Sequence, residues 1–251
     1  SILDDRITLS SNKCKDRFLG KSKKIVEYTL KTGRFRKRKV RTLNASDEEL
    51  NEVPHWVFRC SHLKNLNLSN NRLKEVPREI SYLKSLAKLD LSFNQLEELP
   101  KSLSRVKYIT HINLSNNQLS EFPDQLKYMK HLKELDLSGN RLTKFQSLKT
   151  RHLSKLNLAN NDLKTITAAM RKHRHLIELN LAGNSLSELP LNLPTSGKLK
   201  KLNLSNNNLS SLPSDLSLFI RLEELNLSGN PLPESDKNRL KEELIFTKIT
   251  F

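Results

Sequence analysis

The chain has 251 residues, with 44 Lys and Arg against 27 Asp and Glu, a formal net charge of +17 and a sequence pI near 9.9. Hydrophobic residues make up 36% and aromatics 6%, enough material for a packed core of one or two domains. The most apolar stretches are short and broken by charge, which excludes a span of ~20 apolar residues, and the opening "SILDDRITLSSNKCKD" carries acids where a secretory leader would be basic and then apolar.

Residues 1–44 hold 14 basic and 4 acidic residues, a surplus of +10, and residues 144–175 hold 8 basic residues and one acid, Asp162, a surplus of +7. Segments 45–143, with 14 basic and 13 acidic residues, and 176–251, with 8 basic and 9 acidic, together cancel to zero. Two electrostatic docking patches on an otherwise neutral protein are therefore expected.

In chain order, residues 1–16 read as a basic N-terminal extension whose order the sequence leaves open. Residues 17–39 read as a capping helix and a basic linker: Phe18, Leu19, Ile25, Val26 and Leu30 fall at near-heptad spacing, and Gly33 sits where a helix would stop. The run "RFRKRKVR", Arg34 to Arg41, admits three readings. It is a solvated face, a nuclear-import signal, or a phosphate-binding strip, Lys39 and Arg41 included, with Arg34, Arg36 and Arg38 on one side of an extended chain and Phe35 and Lys37 on the other.

From residue 40 to 232 the chain repeats itself. The string "LKNLNLSNNRL" from Leu63 recurs from Leu86, Ile109, Leu132, Leu153, Leu176, Leu199 and Leu222, at 23-residue spacing except for the 21 residues between Leu132 and Leu153. A degenerate ninth copy starts at Val40 and carries Glu48 where the others have Asn. The apolar side chains of one unit cannot repay the entropy of ordering it, so such units are stable only when stacked on neighbours. The x-L-x-L-x segment predicts a short parallel strand, with Leu66 and Leu68 inward and Asn65 and Asn67 outward. The Asn that follows, from Asn71 to Asn230, predicts a turn whose backbone groups an amide can satisfy as both donor and acceptor. Glu48 is acceptor only, so the ladder should end imperfectly at the first copy.

The motif L-x-x-L-x-L-x-x-N-x-L in eight copies resembles the leucine-rich repeat family. The Pro after the last Leu at Pro54, Pro77, Pro100, Pro123, Pro190 and Pro213 is similar to its intracellular scaffold type, found in Ras-suppressor and Scribble-like proteins. The resemblance implies an α/β fold: a right-handed solenoid, or horseshoe, with a parallel concave β-sheet of about nine strands and short helical or irregular convex segments. It also implies a docking or adaptor role on the concave face. The residues expected to meet a partner there are Lys88, Asp90, Phe93, His111, Asn113, Glu134, Asp136, Lys155, Glu178 and Lys201. Their mixed signs suit a protein more than a nucleic-acid backbone. The row of Asn and Asp from Asn44 to Asn226 is also expected to be partly structural, with stacked amides bonding along the solenoid.

The pattern breaks between Leu142 and Leu153, where the unit loses two residues and its Pro, and the break coincides with the second basic patch. Lys149, Arg151, Arg171, Lys172 and Arg174 are candidate anion or RNA contacts, together with the strip from Arg34 to Arg41. His173 occupies a position that is a large apolar residue in most copies. With His175 it could form half a metal site, but "MRKHRH" reads more simply as a solvated basic turn. Residues 233–251 read as a C-terminal cap helix, "PESDKNRLKEEL", and a tail that is either a last strand or a segment inserting into a partner.

No P-loop, G-x-G-x-x-G, H-E-x-x-H or G-x-S-x-G motif is present, so neither an enzyme nor a cofactor is expected. Cys14 and Cys60 lack paired neighbours, and Cys60 reads as a core thiol. The pattern creates N-x-S sequons on the strand face, where glycans would block it, so an intracellular site is expected: cytoplasm, nucleus or an organelle matrix. The leading expectation is a non-enzymatic protein-interaction scaffold. The alternative is a structural subunit of a ribonucleoprotein assembly, such as a ribosome, that grips RNA through the two basic patches.

Overall fold

The computed structural model describes residues 6–8, 40–146, 148–166, 170, 172–188, 198–213, 219 and 221–251. The expected capping helix, the basic residues Arg34, Arg36, Lys37, Arg38 and Lys39, and Arg171 lie outside the described residues.

Eleven three-residue strands form one sheet in strict sequence order. They are β1 (Arg6–Thr8), β2 (Thr42–Asn44), β3 (Asn65–Asn67), β4 (Lys88–Asp90), β5 (His111–Asn113), β6 (Glu134–Asp136), β7 (Lys155–Asn157), β8 (Glu178–Asn180), β9 (Lys201–Asn203), β10 (Glu224–Asn226) and β11 (Lys248–Thr250). Nine are the repeat copies. One more strand is added at each end: β1 pairs in parallel with β2, and the tail residues of β11 pair in parallel with β10. Register is kept at every step, Leu66 facing Leu89 and Leu89 facing Ile112. The central residue of each repeat strand is buried and its neighbours are half-buried or exposed, as a pleated strand with one covered face demands. Parallel crossovers of this kind are right-handed, so the chain winds as a right-handed solenoid with the sheet along its inner side.

Leucines from successive units stack into one continuous core that runs from Val40 to Leu244. On the convex side, Pro54, Pro77, Pro100 and Pro123 each precede a five-residue 3-10 turn: His55–Arg59, Arg78–Tyr82, Lys101–Arg105 and Asp124–Tyr128. Pro is at home in that place because the first residues of a helical turn have no use for its missing N–H. One α-helix, α1 (Glu234–Glu243), follows the last repeat and buries Leu240.

The turn asparagines tie the units together. Asn94 Nδ2 donates to Leu68 O of the preceding unit and Leu91 O of its own, both at 3.0 Å, while its Oδ1 accepts Leu73 N at 3.0 Å. The short unit leaves this ladder intact: Asn161 donates to Leu137 O at 3.0 Å and accepts from Leu142 N at 2.9 Å. The two missing residues are therefore absorbed on the convex side. There Phe145 and Leu148 stay buried, and Thr150 Oγ1 donates to Leu132 O at 2.7 Å. At the first copy, where Glu48 replaces Asn, Asn71 Oδ1 takes two backbone donors, Glu48 N at 3.1 Å and Leu50 N at 2.9 Å.

Candidate functional site

The strands line an open groove on the inner side that runs from Thr42 to Thr250. Its length is ~40 Å at ~4.8 Å per strand. Two side-chain columns face it. The first residues of the strands carry most of the charge, and much of that charge pairs between neighbours. Lys155 Nζ lies 3.2 Å from Glu178, Lys201 Nζ lies 3.0 Å from Glu224, and His111 Nε2 lies 3.6 Å from Glu134. Burial holds His111 below the usual imidazole range despite the pull of Glu134, with Lys88 and Lys133 adding to the depression. The hydrogen bond and the charge of Glu224 raise Lys201 above the ordinary lysine value. Among the described residues Lys88 has no carboxylate in an ion pair, although it occupies the same column.

The last residues of the strands are engaged with their own turns. Asp90 Oδ1 accepts Ser92 N at 3.0 Å and Ser92 Oγ at 2.7 Å, Asp136 does the same with Ser138, and Asn113 Oδ1 accepts Ser115 N at 3.0 Å. Bonding along the solenoid is confined to pairs such as Asn157 to Asp136, at 3.0 Å. Asp90, Asn113 and Asp136 thus hold the sheet ends in shape while presenting one edge to the groove.

Phe93 corrects its expected placement. It stands in the turn beyond β4 at φ 53°, 56% exposed, in the column that elsewhere holds Asn70, Asn116 or Gly139. It overlooks the rim of the groove and does not line it. An L-residue with a bulky side chain is strained at that φ.

His173 corrects the expectation of a solvated turn. It is 2% exposed, in the register of Leu83 and Met129, with its ring edge-on to Phe145 at 6.1 Å, and Phe145 is edge-on to Phe122 at 5.3 Å. Neither ring nitrogen has a hydrogen-bond partner, and burial, assisted by Lys172, drives its pKa down to about 4. His175 is exposed, with Lys198 Nζ 3.1 Å from its Nδ1, so the two histidines do not converge. No group of three metal-ligating side chains occurs among the described residues.

The charge is polarised across the solenoid in a way that counting along the chain conceals. The turns that enter β3 to β8, residues 59–64, 82–87, 105–110, 128–133, 149–154 and 172–177, carry eleven Lys or Arg and no acid, whereas the turn that enters β10 carries Glu223, paired with Lys200. The turns that leave them, residues 47–52, 70–75, 93–98, 116–121, 139–144, 160–165 and 183–188, carry ten acids and five bases. Because all strands are parallel and in register, the first set lies on one flank and the second on the other. The segment 45–143, neutral in sequence, is therefore basic on one side and acidic on the other. Lys149, Arg151, Lys172 and Arg174 are exposed on the basic flank, and Arg41 stands at the same register position as Lys64, one strand away. Lys84, Lys107, Lys130 and Tyr108 belong there too. Aligning the repeats residue by residue would have found them, since the second residue before the first Leu is basic in five consecutive copies.

Family models confirm what the ladder and the register describe. The model "Leucine rich repeat" matches residues 38–96 and 87–142, and a second of the same description matches 198–219 and 221–242. The chain is a leucine-rich repeat protein. Among solved structures, a leucine-rich repeat protein of Leptospira interrogans is 29% identical with TM-score 0.71, covering 86% of this chain and 62% of that one. YopM from Yersinia enterocolitica is 30% identical with TM-score 0.61, over 78% and 39% of the two chains. An internalin from Listeria monocytogenes, 22% identical with TM-score 0.73 over 85% and 61%, shares the fold. The chain thus spans less than two thirds of the length of these repeat proteins. A comparison with curated proteins finds no match. No helix among the described residues is long and apolar enough to cross a membrane.

Proposed function

We propose that this leucine-rich repeat chain is a non-enzymatic scaffold that docks a segment of another protein along its concave groove. Leucine-rich repeats serve in general as interaction modules, and one observation supports a particular docking point. Around β4 the groove holds a lysine outside the ion-pair ladder, Lys88, paired in register with the half-buried His111, while Phe93, exposed and held at φ 53°, stands in the turn beyond the far end of the same strand. Strain retained at an exposed aromatic is characteristic of a binding site, and aromatic anchors dominate interface energetics. A fitting partner segment brings a carboxylate to Lys88 and an apolar side chain to Phe93, while the paired charges from Glu134 to Glu224 fix its register.

An intracellular compartment without N-glycosylation, cytoplasm, nucleus or organelle matrix, is part of the same proposal. Asn67, Asn113, Asn203 and Asn226 all accept hydrogen bonds from their own turns, and a glycan on any of them would fill the groove. The test is a pull-down with the full chain and with a variant carrying Lys88→Glu and Phe93→Ala, both exposed positions. The variant is expected to lose the main protein partner at unchanged thermal stability or better. Retention of that partner at wild-type level refutes docking at β4.

A further inference from the structure

We infer that the basic flank is a docking surface for single-stranded nucleic acid. It is separate from the groove and independent of what the groove binds. Two columns define it. The outer is cationic, with Lys84, Lys107, Lys130 and Arg151 on consecutive units, all exposed and none in an ion pair among the described residues. The inner, one residue on, is aromatic: Tyr108, His131, His152 and His175, also exposed. One adjacent pair of the inner column stacks, the Tyr108 and His131 rings lying 5.9 Å apart with an interplanar angle of 27°. Tyr108 is 64% exposed although it is large and largely apolar. On the same flank a cation meets an aromatic face where Lys149 Nζ lies 4.8 Å from the centroid of the Tyr128 ring.

The chemistry selects among anionic partners. A uniform row of cations attracts any polyanion, but a parallel row of exposed flat rings adds something only when the ligand carries its own flat rings. Lipid headgroups and acidic peptides have none. A membrane-docking face would instead carry several protruding apolar side chains among its cations, and this flank carries tyrosines and imidazoles, with Ile177 as its exposed aliphatic side chain among the described residues. A duplex hides its base faces, so a single strand is required. The six turns from Arg59 to Lys172 cover ~25 Å at ~4.8 Å per strand, enough for about seven nucleotides at the ~3.4 Å rise of a stacked strand. Phosphates lie over the cationic column and bases over the aromatic one. The acidic opposite flank repels the same backbone and so fixes which side is used.

The test is fluorescence anisotropy with the full chain and labelled oligouridylate and oligothymidylate. Duplex RNA, phosphatidylserine vesicles and polyglutamate serve as competitors. With about five phosphates neutralised, log K falls against log salt with a slope of about −3.5, which is about a hundredfold between roughly 50 and 200 mM. Lys107→Glu with Lys130→Glu lowers affinity at least about tenfold and flattens the slope by about 1.4. Tyr108→Ala lowers affinity about tenfold and leaves the slope unchanged. Lys74→Glu, on the other flank, changes it less than about twofold. Any of three results overturns the inference: no binding at roughly 50 mM salt; competition by duplex, vesicles or polyglutamate as effective as by the single strand, which would assign the flank to another polyanion; or wild-type affinity in both the Lys107/Lys130 and Tyr108 variants, which would place binding elsewhere on the chain.

Discussion

Replacing His173 by Leu should stabilise the protein and remove part of its sensitivity to acid. The ring lies in the core with both nitrogens unpartnered, and its pKa stands at about 4 against the ordinary 6.5. A base whose folded pKa is depressed contributes no penalty above its unfolded pKa. Stability is lost as pH falls from about 6.5 toward about 4, because only the unfolded chain takes up the proton. With those two values the loss is negligible at pH 7.5, ~2 kcal/mol at pH 5 and at most ~3 kcal/mol in stronger acid. At pH 7.5 the substitution relieves ~2 kcal/mol of desolvated nitrogens and forfeits ~1 kcal/mol of edge-on contact with Phe145, a net gain of about 1 kcal/mol. Urea titrations of both proteins at pH 7.5 and pH 5 measure it. All other histidines are shared, so the wild type should lose about 2 kcal/mol more than His173→Leu between the two conditions. An equal loss in both proteins would refute the buried neutral imidazole. So would a variant destabilised by more than about 1 kcal/mol at pH 7.5.

Other substitutions test the ladder and the turns. Asn117→Ala removes an amide that donates to Leu91 O and Leu114 O and accepts Leu96 N, all buried; it should cost about 3 kcal/mol or more and raise hydrogen exchange in both adjoining units. Phe93→Asn places a residue tolerant of positive φ in that turn and should gain about 1 kcal/mol in a thermal or urea melt. Gly183 adopts φ 62°, and a Cβ there would collide with the Asn160 side chain; Gly183→Ala should cost about 1–2 kcal/mol by the same melts.

What was legible in the sequence follows from what a repeat encodes. Period and apolar register specify strand, core and turn because each Leu has one place to go, and the Asn ladder could be foreseen because a buried turn needs a group that both donates and accepts. The errors came from reading local composition in preference to register. His173 lies among Lys and Arg in the chain, yet its place in the repeat is a core place, and the register prevailed. Phe93, expected among the partner-facing residues of the concave side, falls in a column that is Asn or Gly elsewhere and marks a left-handed turn. The charge pattern failed for a geometric reason. Bases before each strand and acids after it cancel in a running count, but the strand separates them, and parallel stacking collects each kind on its own flank. The 23-residue period puts Lys155 and Glu178 at the same place in consecutive copies, and in-register parallel strands bring them side by side as partners.

Two independent surfaces are proposed for the solenoid, a groove for a protein segment and a basic flank for single-stranded nucleic acid. The most direct measurement is a paired capture from cell extract, scoring the recovered protein partner and the recovered nucleic acid separately for the Lys88→Glu, Phe93→Ala variant and for the Lys107→Glu, Lys130→Glu variant. The account predicts that the first loses the protein and keeps the nucleic acid, and that the second does the reverse. Joint loss of both ligands in either variant, or retention of both in each, would contradict it.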